Sequence, residues 1–384
     1  MASPTSKLTI KNFAHIGELS LEFGDLTVLV GAQGTGKSLA LQWLKVALDG
    51  RRVVARLKEA GHTLKDDAQI VESIFGQGMG SAWHQNSEIR WNSTAVVPSS
   101  LKNGRAPTNE KVFFVPAHRS LLISDGWAAT FNALNVETPV VARIFSQHLH
   151  DRFRARGGET LFPLKNVLKK QYRDLIDAAV FHGGTVGLQE AQQRKRLEMT
   201  HGDTHLPFLT WTAGQREFTP LLLGLYALLP QSGTAKNADV DWVVIEEPEM
   251  GLHPEAINAF LVLTLDLLWR GYRVVLSTHS PHVLAAMWML RLLVEHHATP
   301  DILCDAFKLG KSKDMKAVAQ SAMTKGYRTH FLSIGANAKV SAKDISTLDA
   351  GAVDEEISGW GGLSGLSSRF SDAVAKAVNE DDSL

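Results

Sequence analysis

Three short stretches of this chain are too apolar to alternate: residues 26–30, 240–245 and 273–276, with Thr27, Asp241 and Arg273 their polar members. Runs of that length that do not alternate fit strands buried on both faces of a parallel sheet. Two further short strands, 8–12 and 18–23, precede the first of them, and a further apolar run, 112–115, follows a polar loop at 98–110. Helical spacing predicts a helix over 37–48, stopped by Gly50 as a C-terminal cap, and two more within 51–82 that end in a glycine-rich turn. Further helices are expected at 139–156, 164–180 and 216–229, with a β-hairpin over 185–209 turning at Gly202 and Asp203. The greasiest stretch, 259–269, is interrupted by Thr264 and Asp266 and is too short to span a bilayer, so it reads as a buried helix closed by Gly271.

The boundary between the strand at 26–30 and the helix after it carries the first candidate chemistry. Gly31-Ala32-Gln33-Gly34-Thr35-Gly36-Lys37-Ser38 fits the phosphate-loop pattern G-x-x-x-x-G-K-[ST], in its proper strand-to-helix context. Backbone N–H groups from Gln33 to Ser38, with the positive end of the helix dipole, form an anion cradle. Lys37 is placed for the β- and γ-phosphates of ATP, and the Ser38 hydroxyl for Mg²⁺.

The strand at 240–245 ends in Glu246-Glu247-Pro248-Glu249. Ligands of open α/β sheets bind at the C-terminal ends of the strands, and adjacent carboxylates repel unless a cation lies near them. Glu246 is therefore the candidate metal ligand, through a bound water, and Glu247 the candidate base that orients or deprotonates an attacking water. The third run ends in Ser277-Thr278-His279-Ser280-Pro281. At such a strand end the imidazole of His279 can donate to a γ-phosphate or position water.

One more string decides the class. Trp211-Thr212-Ala213-Gly214-Gln215 opens a helix upstream of the acidic strand. It resembles the ABC signature, and the order phosphate loop, signature, acidic strand, histidine is that of ABC-type ATPases. The opening Leu8-Thr9-Ile10-Lys11-Asn12-Phe13 followed by the phosphate loop resembles the start of the SMC, RecF and OLD ATPases. The resemblance implies an α/β fold: an ABC-type P-loop ATPase head, a mixed sheet flanked by helices, with a short helical and hairpin insertion. It also implies that Thr212, Gly214 and Gln215 face the nucleotide of a neighbouring subunit, in a head-to-tail dimer or higher oligomer. Pro116-Ala117-His118-Arg119 is similar to the Pro-Ala-x-Arg segment of bacterial defence ATPases. It stands where transporters carry a glutamine, and this chain has none there, which leaves direct γ-phosphate contact by His118 or Arg119 doubtful.

The expected organisation is an N-terminal ATPase lobe over 1–136, the insertion over 137–205, a lobe with signature, acidic strand and histidine over 206–285, and an extension over 286–384 that completes the domain. The insertion is locally basic, with Arg152, Arg154, Arg156, Lys165, Lys169, Lys170, Arg173, Arg194, Lys195 and Arg196. Such charges are usually a solvated face; a nucleic-acid or acidic-partner surface is the other reading. The insertion is too short for a coiled-coil arm and shows no sustained heptad. The last hundred residues lack the Asp-x-Asp of the OLD nucleases, so effector chemistry is expected on another polypeptide.

Composition changes little. Over 384 residues Lys+Arg and Asp+Glu both count 40, and no basic excess announces nucleic acid. The single cysteine, Cys304, excludes an internal disulfide and a Cys₄ zinc site, as expected of a reducing cytoplasm. No apolar leader follows the polar residues 1–7. The expectation is a cytoplasmic, membrane-free, Mg²⁺-dependent ATPase. It resembles the stand-alone ATPases of anti-phage systems, those of PARIS first and the Septu and retron-associated ones after it. That resemblance implies a separate toxic effector, a phage-protein trigger, and an assembly state set by ATP. The alternatives are a RecF-like repair ATPase that grips DNA through the insertion and, more distantly, a transporter's ATPase subunit.

Overall fold

The computed structural model describes residues 6–155, 160–191, 194–229 and 236–381. From the N-terminus, β1 (Ser6–Phe13), β2 (Ile16–Phe23) and β3 (Leu26–Gly31) lead into α1 (Lys37–Glu59) and α2 (Asp67–Phe75). Then come β4 (Glu88–Trp91), β5 (Thr94–Ala95), β6 (Val112–Val115), the small ribbon β7 (Ile123–Ser124) and β8 (Trp127–Ala128), and α3 (Val140–Ala155). The insertion continues as β9 (Thr160–Phe162), α4 (Lys170–Ile176), β10 (Thr185–Ala191), β11 (Arg194–His201) and β12 (Thr204–Pro207). After it run α5 (Ala213–Leu225), β13 (Trp242–Glu246), α6 (Pro254–Trp269), β14 (Arg273–Ser277) and α7 (Pro281–Glu295). The chain closes with α8 (Pro300–Ala306), α9 (Lys313–Ala322), β15 (Tyr327–Ile334), β16 (Val340–Asp344), α10 (Glu355–Ser358) and α11 (Gly365–Asp381).

The main sheet has ten strands in the order β5-β4-β1-β2-β16-β15-β3-β14-β13-β6. Its half from β15 to β6 is parallel; β1 pairs antiparallel with β2 and β4, and β16 antiparallel with β15. Strands β3, β13 and β14 are buried on both faces apart from Arg273 at the start of β14, which is why their sequences do not alternate. Successive residues feed two separate cores: Val28, Val30, Val243 and Ile245 face one, while Leu29 and Val244 face the other. On the second face Phe13, Trp43 and Phe75 pack ring against ring, and they fix α1 and α2 beneath β1. Register brings the C-terminal ends level: Glu246 stands opposite Ser277, and Ser277 opposite Leu29.

The structure corrects three expectations. Gly50 does not stop a helix, because α1 runs through it to Glu59. Its missing side chain makes room for Leu101, whose Cδ atoms would lie 2.9 Å from a Cβ there. The helix expected over 164–180 starts only at Lys170; the segment before it is a turn held by Val167 and Leu168 N–H groups on the Leu164 carbonyl. The hairpin of 185–209 is part of a four-stranded sheet, β12-β11-β10-β9, and Gly202 and Asp203 turn only between β11 and β12.

The insertion's basic side chains are largely engaged. Lys169 reaches Asp266 at 3.3 Å and lies over the Trp269 ring, Lys170 pairs with Asp174 at 2.5 Å, and Arg196 with Asp125 at 2.9 Å. Arg173 donates to the Lys165 and Leu168 carbonyls, and Arg152 lies over Tyr226. Arg156 and the side chain of Arg194 fall outside the described residues.

Candidate nucleotide site

The phosphate loop has a conformation that its sequence requires. Gly31 sits at φ 149°, and a Cβ there would stand 2.3 Å from the Leu332 carbonyl oxygen on the neighbouring strand β15. Gly34 and Gly36 are left-handed, at φ 76° and 77°, so all three positions favour glycine. The Thr35 hydroxyl ties the loop by donating to the Ala32 carbonyl at 2.8 Å. Lys37 curls back, its Nζ 2.8 Å from the Gly31 carbonyl and 3.0 Å from that of Ala32. Burial lowers the pKa of this amine, and the Glu247 and Glu249 charges oppose the shift. A cavity of about 250 Å³ opens over the loop, lined by His15, residues 33–39, Glu247 and His279.

Glu246 is almost wholly buried below the loop. Its Oε2 accepts from the Ala117 N–H at 3.2 Å, the Ser38 hydroxyl also donates to it, and its Oε1 is buried without a partner. Burial pushes its pKa up to about 7, against the pull of those hydrogen bonds. A carboxylate with one orphaned oxygen beside a serine hydroxyl is a hard oxygen donor set, which fits Mg²⁺. Among the described residues no group of three or more His, Cys, Asp or Glu side chains gathers to hold a metal.

Glu247 and His279 face each other across the cavity mouth, Oε1 to Nε2 at 3.6 Å. Desolvation, helped by the Lys37 charge, lowers the His279 pKa, so the ring is neutral near pH 7. Glu247 has a left-handed backbone, φ 41°, and its N–H donates to the Ser277 carbonyl at 2.9 Å. Gly31, Gln33, Gly34, Thr35, Gly36, Lys37, Ser38, Glu246, Glu247 and His279 thus come together from three segments of the chain. Thr212, Gly214 and Gln215 do not join them and line no part of the cavity. They form a reciprocal capping box at the start of α5: the Thr212 side chain accepts from the Gln215 N–H, and Gln215 Oε1 accepts from the Thr212 N–H. Gly214 presses on the loop after β13, and a Cβ there would lie 2.8 Å from the Gly251 carbonyl oxygen.

Two residues of the site escape sequence reasoning. Glu249 Oε1 accepts from the Thr278 hydroxyl at 2.8 Å and the His279 N–H at 2.6 Å, which fixes the loop that carries the histidine. The signal for it was only a third acid in the same string. His15, in the β1–β2 turn, has its Nε2 buried without a partner, 3.3 Å from where a Gly36 Cβ would stand. An unpaired ring nitrogen facing the loop that cradles phosphates has a nucleotide oxygen as its natural partner. His15→Ala is expected to weaken ATP binding by about 10- to 100-fold, the value of one hydrogen bond to a charged group. Calorimetric titration checks this, and affinity within about twofold of wild type would remove His15 from the site.

Two family profiles match the chain: "AAA domain" over residues 7–94, and "AAA domain, putative AbiEii toxin, Type IV TA system" over 101–285. Between them they span all four motifs of the site. Over those residues the chain is similar to AAA-type ATPase domains. A stretch of 72 residues is 33% identical to the Old nuclease of Escherichia phage P2, which is 19% of this chain and only 12% of that protein. Two solved SMC heads align over most of this ATPase. One, bound to the C-winged helix domain of ScpA, has a TM-score of 0.42 at 10% identity over 88% of this chain and 97% of its own. The other, from Thermotoga maritima, has a TM-score of 0.37 at 12% identity over 89% and 99%.

Proposed function

We propose that this ATPase hydrolyses ATP with Mg²⁺ at a site completed by a second copy of itself, and serves anti-phage defence by controlling a separate effector. One observation carries the composite site. Phosphate loop, acidic strand and histidine converge on one cavity, while the capped start of α5, with Thr212 and Ala213 exposed, lies away from it. A helix N-terminus with free N–H groups is a ready phosphate partner, and the phosphate it meets belongs to another subunit. Bound Mg²⁺, held by Ser38 and through water by Glu246, would neutralise charge on the phosphates. Lys37 shares that task, the loop N–H groups orient the triphosphate, Glu247 takes a proton from water, and the neutral His279 ring donates to or positions the attacked end.

Defence is supported by the AbiEii-like profile and by the stretch shared with the phage P2 nuclease. The effector, a phage-protein trigger and a cytoplasmic location follow the same resemblance. Among the described residues no helix is long and apolar enough to cross a membrane. Against a RecF-like grip on DNA stand Lys169 and Arg196, which are engaged with Asp266 and Asp125.

Mixing two dead variants tests the reading. Lys37→Ala removes the phosphate lysine; Ala213→Asp adds a negative charge at an exposed helix start, where the dipole favours it and a partner's γ-phosphate does not. Gly214 is a poor choice, because any side chain there collides with Gly251. Each variant alone should be inactive. In a 1:1 mixture about half of the dimers are mixed and each keeps one sound site, so about a quarter of wild-type activity should return. No recovery on mixing, together with a specific activity independent of protein concentration, would make the monomer the working unit.

A further inference from the structure

We propose that Arg119 is a positioning residue that ties the signature helix α5 to Glu246 and Glu247, so that docking of α5 on a partner's nucleotide is felt at the catalytic carboxylates. The proposal rests on the nucleotide reading above and goes beyond it, because Arg119 touches no part of the phosphate cavity.

Arg119 is 0% exposed. A guanidinium out of water is tolerated only when its donors are met, and here they are met from separate parts of the chain. Nη1 donates to the Glu246 carbonyl at 2.9 Å and the Pro116 carbonyl at 3.2 Å, and Nη2 to the Glu247 carbonyl at 3.4 Å. Nε donates to the Glu217 carbonyl on α5 at 3.3 Å and stands 3.6 Å from that residue's carboxylate. The other oxygen of Glu217 accepts from the hydroxyl of Ser120, the next residue along. Ala117, two residues before Arg119, donates its N–H to the Glu246 side chain. A single short loop therefore holds the signature helix on one side and both acidic residues on the other.

The backbone of Glu247 shows what this grip does. A glutamate at φ 41° sits in a left-handed region that it occupies only when its surroundings hold it there. Its N–H is fixed by Ser277 and its carbonyl by Arg119 at 3.4 Å together with the Met250 N–H at 3.2 Å, and this backbone aims the carboxylate at His279. A shift of α5 that moves Glu217 moves the guanidinium, and with it the Glu247 carbonyl. Lysine cannot substitute: one ammonium lacks the planar fork that spans helix and strand end at once.

Two variants and two readouts test this. Arg119→Lys keeps the charge and breaks the fork; Glu217→Gln keeps the shape and breaks the ion pair from the helix side. Both should retain ATP affinity within about twofold while kcat falls on the order of 10- to 100-fold, as for a reacting group displaced by about 1 Å. Hydrogen exchange with a non-hydrolysable ATP analogue and Mg²⁺ supplies the second readout. In wild type, amides of the phosphate loop and of α5 should both gain protection; in the two variants the loop response should persist and the α5 response be lost. A buried arginine with a purely structural role would lower the melting temperature and leave kcat per folded molecule and the α5 response unchanged, which would overturn the coupling. Failure of the wild-type loop to gain protection would remove the nucleotide reading itself, and this proposal with it. If Arg119→Lys does not fold, Glu217→Gln alone decides, since its carboxylate oxygens face Arg119 and Ser120.

Discussion

Glu247→Gln is expected to lower steady-state ATP hydrolysis by ~10²-fold or more while ATP affinity stays near wild type. The carboxylate stands at the cavity mouth, partly exposed and 3.6 Å from His279. The amide fills the same space, and the backbone contacts that set its left-handed conformation do not involve the side chain. What is lost is the capacity to take a proton from water. The variant should accumulate an ATP-bound assembly, visible as a nucleotide-dependent shift in size-exclusion chromatography with light scattering. Hydrolysis within about threefold of wild type would take Glu247 out of the base's role.

The second large effect is on binding. Lys37→Ala should weaken ATP affinity at least ~30-fold, the usual consequence of truncating one partner of a buried, hydrogen-bonded charge pair. Here the amine is already almost buried and pre-placed by the Gly31 and Ala32 carbonyls, so little ordering remains when phosphates arrive. The same contacts mean that alanine leaves two loop carbonyls short of a donor. A melting curve must therefore accompany the calorimetric titration. A folded Lys37→Ala protein that binds ATP as well as wild type would mean that the loop does not work as a phosphate cradle.

The elements legible in the sequence are those whose cause is local. The phosphate loop could be read because strand, glycines and helix are contiguous, and the strands at 240–245 and 273–276 because burial on both faces leaves 242–245 and 274–276 apolar at every position. Gly50 misled because its reason for being glycine is Leu101, some fifty residues away, while nothing local distinguishes a cap from a packing contact. The turn at 164–168 was read as helix because apolar spacing continues through it. His15 and Glu249 acquire their places from sheet register and loop closure, which no motif encodes. Arg119 was visible, but as a doubtful phosphate ligand; only the packing of α5 against the end of β13 gives it partners.

The place of β15 and β16 in the sheet bears on how the molecule is made. The hairpin β1–β2 and the phosphate-loop strand β3 are neighbours along the chain, yet β16 and β15 lie between them in space. During synthesis the first three strands therefore emerge together and cannot join into one sheet until residues 327–344 leave the ribosome. Until then the edges of β2 and β3 stay open, and the turn bearing His15 has no fixed position over the phosphate loop, since the Val340 N–H that binds the His15 carbonyl is among the late arrivals. A nascent chain that has completed all four motifs still lacks a finished nucleotide pocket, so this ATPase gains its ligand only once its final strands are in place.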